Sequence, residues 1–153
     1  MEQKIRPVLV TLMSSAHTGG NEEDAPIRLR CRGQLRETAG GYMLRYQEVQ
    51  TDDDSGQSVT QDVILGLQKD RVTMTRLGAF GTTMVFVKDR RFEGAYHTPF
   101  GDLGLALYAM QVQCKLAEDC GSIHLEYQLD MQGSYSAVQC IDVSFCAESS
   151  QPC

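Results

Sequence analysis

From Ser122 to Gly133 the chain alternates with a period of two, Ile123, Leu125, Tyr127, Leu129 and Met131 falling between His124, Glu126, Gln128, Asp130 and Gln132. An extended backbone sends successive side chains to opposite sides, so this segment is expected to be a strand with one buried and one wet face. The same period recurs elsewhere. Ile27, Leu29 and Cys31 oppose Arg28, Arg30 and Arg32; Val72 and Met74 oppose Thr73 and Thr75; Ile141, Val143 and Phe145 oppose Asp142 and Ser144. Between Asp102 and Cys114, Leu103, Leu105, Leu107 and Ala109 share one face and Tyr108, Met110 and Val112 the other, which predicts a strand meeting apolar surroundings on both sides. Further strands are read at about 5–13, 42–50, 58–68, 83–88 and 93–98.

Turn chemistry separates these segments: Gly40 and Gly41, Asp52 to Gly56, Lys69 and Asp70, Asp89 and Arg90, Asp119 to Gly121, and Gly133 with Ser134. No window carries a helical stripe long enough to cross between parallel strands, so neighbours must pair as antiparallel hairpins. Eight to ten strands in one short chain have to hide their edges, and long strands on short connections favour a closed barrel over a sandwich. The expected architecture is all-β, a single antiparallel up-and-down barrel. One domain spans 1–153, with a core at 5–146 and a tail at 147–153, and the loop at 14–25 and the segment from Glu148 are expected to be mobile.

Composition narrows the function classes. With 153 residues, 42% apolar and 22% charged, the chain is an ordinary globule large enough for one self-sufficient core. The net charge is -6, and beyond residue 91 the only base is Lys115, set against eight acids. That field repels phosphate, so neither nucleic acid nor an anionic membrane surface is an expected partner. The apolar run at Val8–Met13 is too short for a signal or a span and reads as a strand. A cytoplasmic location follows as an expectation, with the six cysteines as free thiols. No cofactor or metal is expected: there is no C-x-x-C pair, and His17, His97 and His124 are scattered.

Motifs for enzyme chemistry are missing. The sequence has no G-x-S-x-G, no P-loop, no H-E-x-x-H and no G-x-G-x-x-G, and TDDDSG lacks the remaining ligands of a calcium loop, so no catalytic residue stands out. One constellation remains. The face holding Tyr42, Leu44 and Tyr46 continues to Glu48, and the face holding Val72 and Met74 continues to Arg76, so two inward rows end in opposite charges. Such a pair fits three descriptions: two charges at the rim meeting water, a buried structural pair, or a pair that orients a ligand. Tyr46, Glu48, Arg76, Tyr96 and Tyr127 form the candidate ligand-binding set. The arginine row at 28, 30 and 32, extended by Arg36, is expected on an outer face with carboxylates of a neighbouring strand neutralising it. His97 shows no carboxylate partner in any recognisable motif.

The run GAYHTPFGDLGLAL, with Gly33, Tyr46-x-Glu48 and Arg76-x-Gly78, resembles the bacterial YwiB-like proteins, a family of unknown function with a calycin-like, lipocalin-related β-barrel. The resemblance spans about residues 5–146 and is most specific at Tyr96-x-Thr98-Pro99-x-Gly101-x-Leu103. It implies a barrel, a cytoplasmic setting and a bacterial source, and it brings no catalytic residues. Three functions follow in order: a non-enzymatic barrel holding a small apolar or amphipathic molecule, a side-chain-filled barrel acting as a protein-interaction or homodimerisation module, and an enzyme.

Overall fold

The computed structural model describes residues 5–17, 27–51, 56, 58–78, 81–98, 101–117, 120–131 and 135–147. They form ten strands. The first five are β1 (Ile5–His17), β2 (Ile27–Thr38), β3 (Gly41–Thr51), β4 (Ser58–Gln68) and β5 (Arg71–Leu77). The others are β6 (Thr82–Phe86), β7 (Arg91–Thr98), β8 (Gly101–Leu116), β9 (Cys120–Met131) and β10 (Tyr135–Ala147). Each pairs antiparallel with its sequence neighbour, and β1 pairs with β10, so the meander closes into a barrel. Among the described residues no helix is long and apolar enough to cross a membrane.

The expected meander is therefore present, with one adjustment to its boundaries. β1 runs on to His17, so residues 14–17 belong to a strand and not to the loop expected at 14–25. The rest of that loop, the tail from Glu148, and most of TDDDSG lie outside the described residues.

Alternation drives the packing. Val8, Val10, Leu44, Val63, Leu65, Leu67, Val72, Met74, Phe86, Leu107, Leu125 and Phe145 are all buried, each on the inward phase of its strand. Strand β8 breaks the phase. Its register against β9 shifts between Ala109 and Gln111, leaving Met110 as an extra residue. A bulge of one residue turns the strand over, so Leu105, Leu107 and Ala109 face inward before it and Val112, Cys114 and Leu116 after it. The two apolar faces expected of residues 102–114 are thus one face interrupted by a bulge, and Leu103 and Tyr108 are 37% and 42% exposed. The β6–β7 turn holds the bulge in place: the Asp89 amide donates to the Ala109 carbonyl at 2.8 Å, with Asp89 at φ 63°.

Two seams are only partly zipped. β2 and β3 pair from Gly33–Tyr46 to Thr38–Gly41, and β6 meets β7 in the register Thr82–Tyr96. At Gly33 the strands approach so closely that a Cβ would stand 2.7 Å from the Arg45 carbonyl oxygen and 3.0 Å from Val10. Glycine is required there by proximity, not by dihedral angle.

Candidate functional site

The interior has two zones. Toward the end carrying the tight Thr38–Gly41 and Gln68–Arg71 turns, it is filled by aliphatic side chains, Phe86 and Phe145. Toward the other end, where β1 finishes and β2 begins, the inward rows change character. The row of β3 ends at Glu48, that of β4 begins at Gln61, that of β5 ends at Arg76, and that of β6 begins at Thr82. Glu48, Gln61 and Thr82 are all buried. Glu48 and Gln61 are register partners, and all three stand toward the same end of the barrel, so polar groups collect in one ring.

Within this ring Arg76 Nε lies 3.4 Å from Glu48 Oε2, with the two side chains 25% and 11% exposed. The charges expected from the alternation are therefore brought together and shielded; they do not meet water separately at the rim. The Arg76 Nε and the Tyr46 hydroxyl are buried without a hydrogen-bond partner among the described residues. Burial raises the Tyr46 phenol well above its ordinary pKa, and the Glu48 carboxylate adds to the rise while Arg76 opposes it. Burial, then Glu48, pushes the nearby Cys31 thiol up as well.

Above the pair opens a cavity of about 330 Å³ whose lining includes Arg76, Thr82, Tyr96, Tyr127 and Gln139. The Tyr127 hydroxyl donates to Gln139 Oε1 at 2.7 Å, and the ring packs edge-on against Phe86 with centroids 4.8 Å apart. Thr82 Oγ1 donates to the Ala95 carbonyl at 3.1 Å. Of the candidate residues, Arg76, Tyr96 and Tyr127 line the cavity, while Tyr46 and Glu48 stand behind Arg76. Gln61, Thr82 and Gln139 escaped the sequence reading. Their signal was position alone: each stands two residues before an inward apolar one, Val63, Met84 or Ile141.

The outer face adds two observations. Register places Arg28, Arg30 and Arg32 opposite Met13, Thr11 and Leu9 on β1, and Arg28 contacts Met13 Sδ at 3.8 Å. His97 has a carboxylate partner after all, because the β7–β8 register sets it against Asp102, at 2.8 Å between Nδ1 and Oδ1, with both side chains exposed.

A second polar cluster also follows from register. On β9 and β10, His124 opposes Asp142 and Glu126 opposes Cys140. His124 Nδ1 is 2.5 Å from Asp142 Oδ1, and its Nε2 is 3.6 Å from Glu126 Oε2. The Asp142 hydrogen bond is the main reason the His124 pKa is raised. Cys140 is held protonated to higher pH by burial first and by the two carboxylates second. A histidine scattered in the sequence is therefore not isolated in the fold. Near the opposite end of the same hairpin, Cys120 and Cys146 face each other with sulfurs 2.7 Å apart.

The crystal structure of the ywiB protein from Bacillus subtilis is similar to this chain, with a TM-score of 0.78 and 22% identity over 95% of this chain and 94% of that one. Likeness at that identity speaks for the fold. No curated protein matches the sequence. The domain of unknown function DUF1934 matches residues 10–143, which takes in all ten strands from the middle of β1 to the middle of β10. By that match the chain, here a closed ten-stranded barrel, belongs to the DUF1934 family.

Proposed function

We propose that the barrel binds a small amphipathic molecule at its polar end, with Tyr46, Glu48, Arg76, Tyr96 and Tyr127 as the binding set. One observation carries this reading: a buried guanidinium nitrogen without a hydrogen bond, on the wall of a cavity of about 330 Å³. A buried donor left unmade costs about 1–3 kcal/mol. A ligand acceptor at Arg76 recovers that cost, and Glu48 holds the guanidinium in place. The cavity volume is at the lower end of the roughly 300–1,000 Å³ of small-molecule sites. Because the aliphatic zone beneath is packed, the ligand is short, with an acceptor facing Arg76 and an apolar part against Met84, Leu105 and Leu129.

The reading treats the protein as a calycin-like barrel of a bacterial cytoplasm, working without cofactor, nucleic acid or membrane. The filled aliphatic zone favours a second reading, in which the barrel serves as a homodimerising or partner-binding module. Native mass spectrometry of protein purified from its own host distinguishes them. A retained small molecule, lost in Arg76→Met, supports binding; a ligand-free dimer supports the second reading and removes the first.

A further inference from the structure

We propose that His124, Cys140 and Asp142, on the outer face of the β9–β10 hairpin, form a zinc site. It is separate from the interior cavity and independent of what that cavity holds. Opposed pairs two residues apart on adjacent antiparallel strands put four side chains over one small patch of sheet, and here those are His124, Glu126, Cys140 and Asp142. The ligand atoms of His124, Cys140 and Asp142 already lie within 4.8 Å of one another. Tetrahedral zinc with bonds of about 2.0–2.3 Å sets its donors roughly 3.3–3.8 Å apart, so the thiol moves inward and the His124–Asp142 pair opens, adjustments that side-chain rotation supplies.

Donor chemistry selects the metal class. Thiolate with imidazole disfavours magnesium and calcium, which want oxygen alone, and a carboxylate beside them suits zinc. Glu126 supplies what such sites carry behind the ligands. With His124 binding through Nδ1, which now faces Asp142, the Nε2–H points to Glu126, and a carboxylate on the far nitrogen fixes tautomer and ring orientation.

The surroundings are neutral. Gln111 and Gln113 on β8 stand beside Glu126 and His124, and Met13 and Ser15 on β1 stand beside Asp142 and Cys140. The nearest bases are displaced by one further position: Lys115, opposite Ser122, and Arg28, on the far side of Met13. A recess of about 160 Å³ against His124, Asp142 and Met13 leaves room for a water as the fourth ligand. The same residues do not make a nucleophile and base, because both ring nitrogens of His124 face carboxylates and neither faces the Cys140 thiol.

The test uses the full chain, stripped with chelator and titrated with Zn²⁺ and, for spectroscopy, Co²⁺. The expected result is one equivalent bound, with a thiolate-to-cobalt charge-transfer band that disappears in Cys140→Ser. Loss of that band together with at least tenfold weaker Zn²⁺ binding in His124→Gln and Asp142→Asn, and roughly tenfold weaker binding in Glu126→Gln, supports the site. Joint replacement of Cys120 and Cys146 by serine should leave binding unchanged. A charge-transfer band that survives Cys140→Ser, or that follows Cys120 and Cys146 instead, overturns the proposal, as does wild-type protein that binds no equivalent of either ion. Should a variant fail to fold, alkylation of the wild-type chain decides: Zn²⁺ must slow modification of Cys140 and leave Cys31 unaffected.

Discussion

Tyr46 and Tyr127 are both buried phenols on inward rows, but only one has a hydrogen bond to lose. Tyr127 donates to Gln139, whereas the Tyr46 hydroxyl is unpartnered among the described residues. Tyr127→Phe should therefore cost about 1 kcal/mol, and Tyr46→Phe should be neutral or stabilising by up to about 1 kcal/mol; chemical denaturation of the two variants checks the contrast. At the Glu48–Arg76 pair, partial shielding sets the expected loss for Arg76→Met near 2 kcal/mol, between the ~1 of an exposed pair and the 3–5 of a fully buried one. That corresponds to roughly 4–8 °C in Tm. Adding Glu48→Gln should return part of the loss, and strictly additive singles would show that the two charges do not interact. Outside the barrel, the Gln47 and Arg45 hydrogen bonds hold the Asp62 carboxyl below its ordinary pKa. A depressed carboxylate adds stability above the unfolded pKa and loses it as pH falls through the folded one. A carbon-detected NMR titration should find Asp62 low in the wild type and higher in Gln47→Ala. Glu48 and Arg76 were legible in the sequence because each continues an apolar inward row; Gln139 and Gln61 were not, since a neutral amide at a row's end looks the same as a residue on a wet face.

Among the strands, β8 shows what alternation cannot reveal. Leu105, Leu107 and Ala109 on one side of Met110 and Val112, Cys114 and Leu116 on the other read as two apolar faces, because an extra residue shifts the phase without changing composition. Deleting Met110 should remove the bulge and leave both triplets on one unbroken inward face, so that variant should fold, whereas deleting Gln113 from the regular part of the strand should turn Cys114 and Leu116 to solvent and lower the midpoint of unfolding. Gly33→Ala should cost about 2 kcal/mol, since the added methyl meets the Arg45 backbone and not a flexible side chain. Hairpin register carries information that motif spacing lacks. The β9–β10 pairing is centred on Gly133, and that centre alone matches His124 with Asp142 and Glu126 with Cys140, eighteen and fourteen positions apart in the chain. Those pairs look unrelated until the turn is placed. The same register sets Cys120 against Cys146. Mild oxidant should link these two before any other cysteine, with a mass loss of two hydrogens in the single tryptic peptide that follows Lys115, abolished in Cys120→Ser.

At the scale of the molecule, the sequence pattern reached the closed meander because every segment agreed on one period and no segment offered a helix to contradict it. It did not reach the division of the interior into a packed zone and a polar one, which depends on where each strand ends. Closure itself has a consequence for synthesis. The last seam joins Val8 to Ala147 and Leu12 to Val143, residues 139 and 131 positions apart in the chain. Until β10 has left the ribosome, β1 keeps an unsatisfied row of amides and carbonyls, and so does whichever strand was made last. Between the synthesis of β1 and that of β10 the nascent chain thus carries two sticky edges and then exchanges them for one another in a single step, a route that exposes it to chaperones and to pairing with its neighbours on a polysome. Moving the break should relieve it. A permuted gene that joins Ala147 to Ile5 through a short linker and opens at the Thr38–Gly41 turn makes the old seam a local hairpin, and should fold to the same barrel with a faster closing phase.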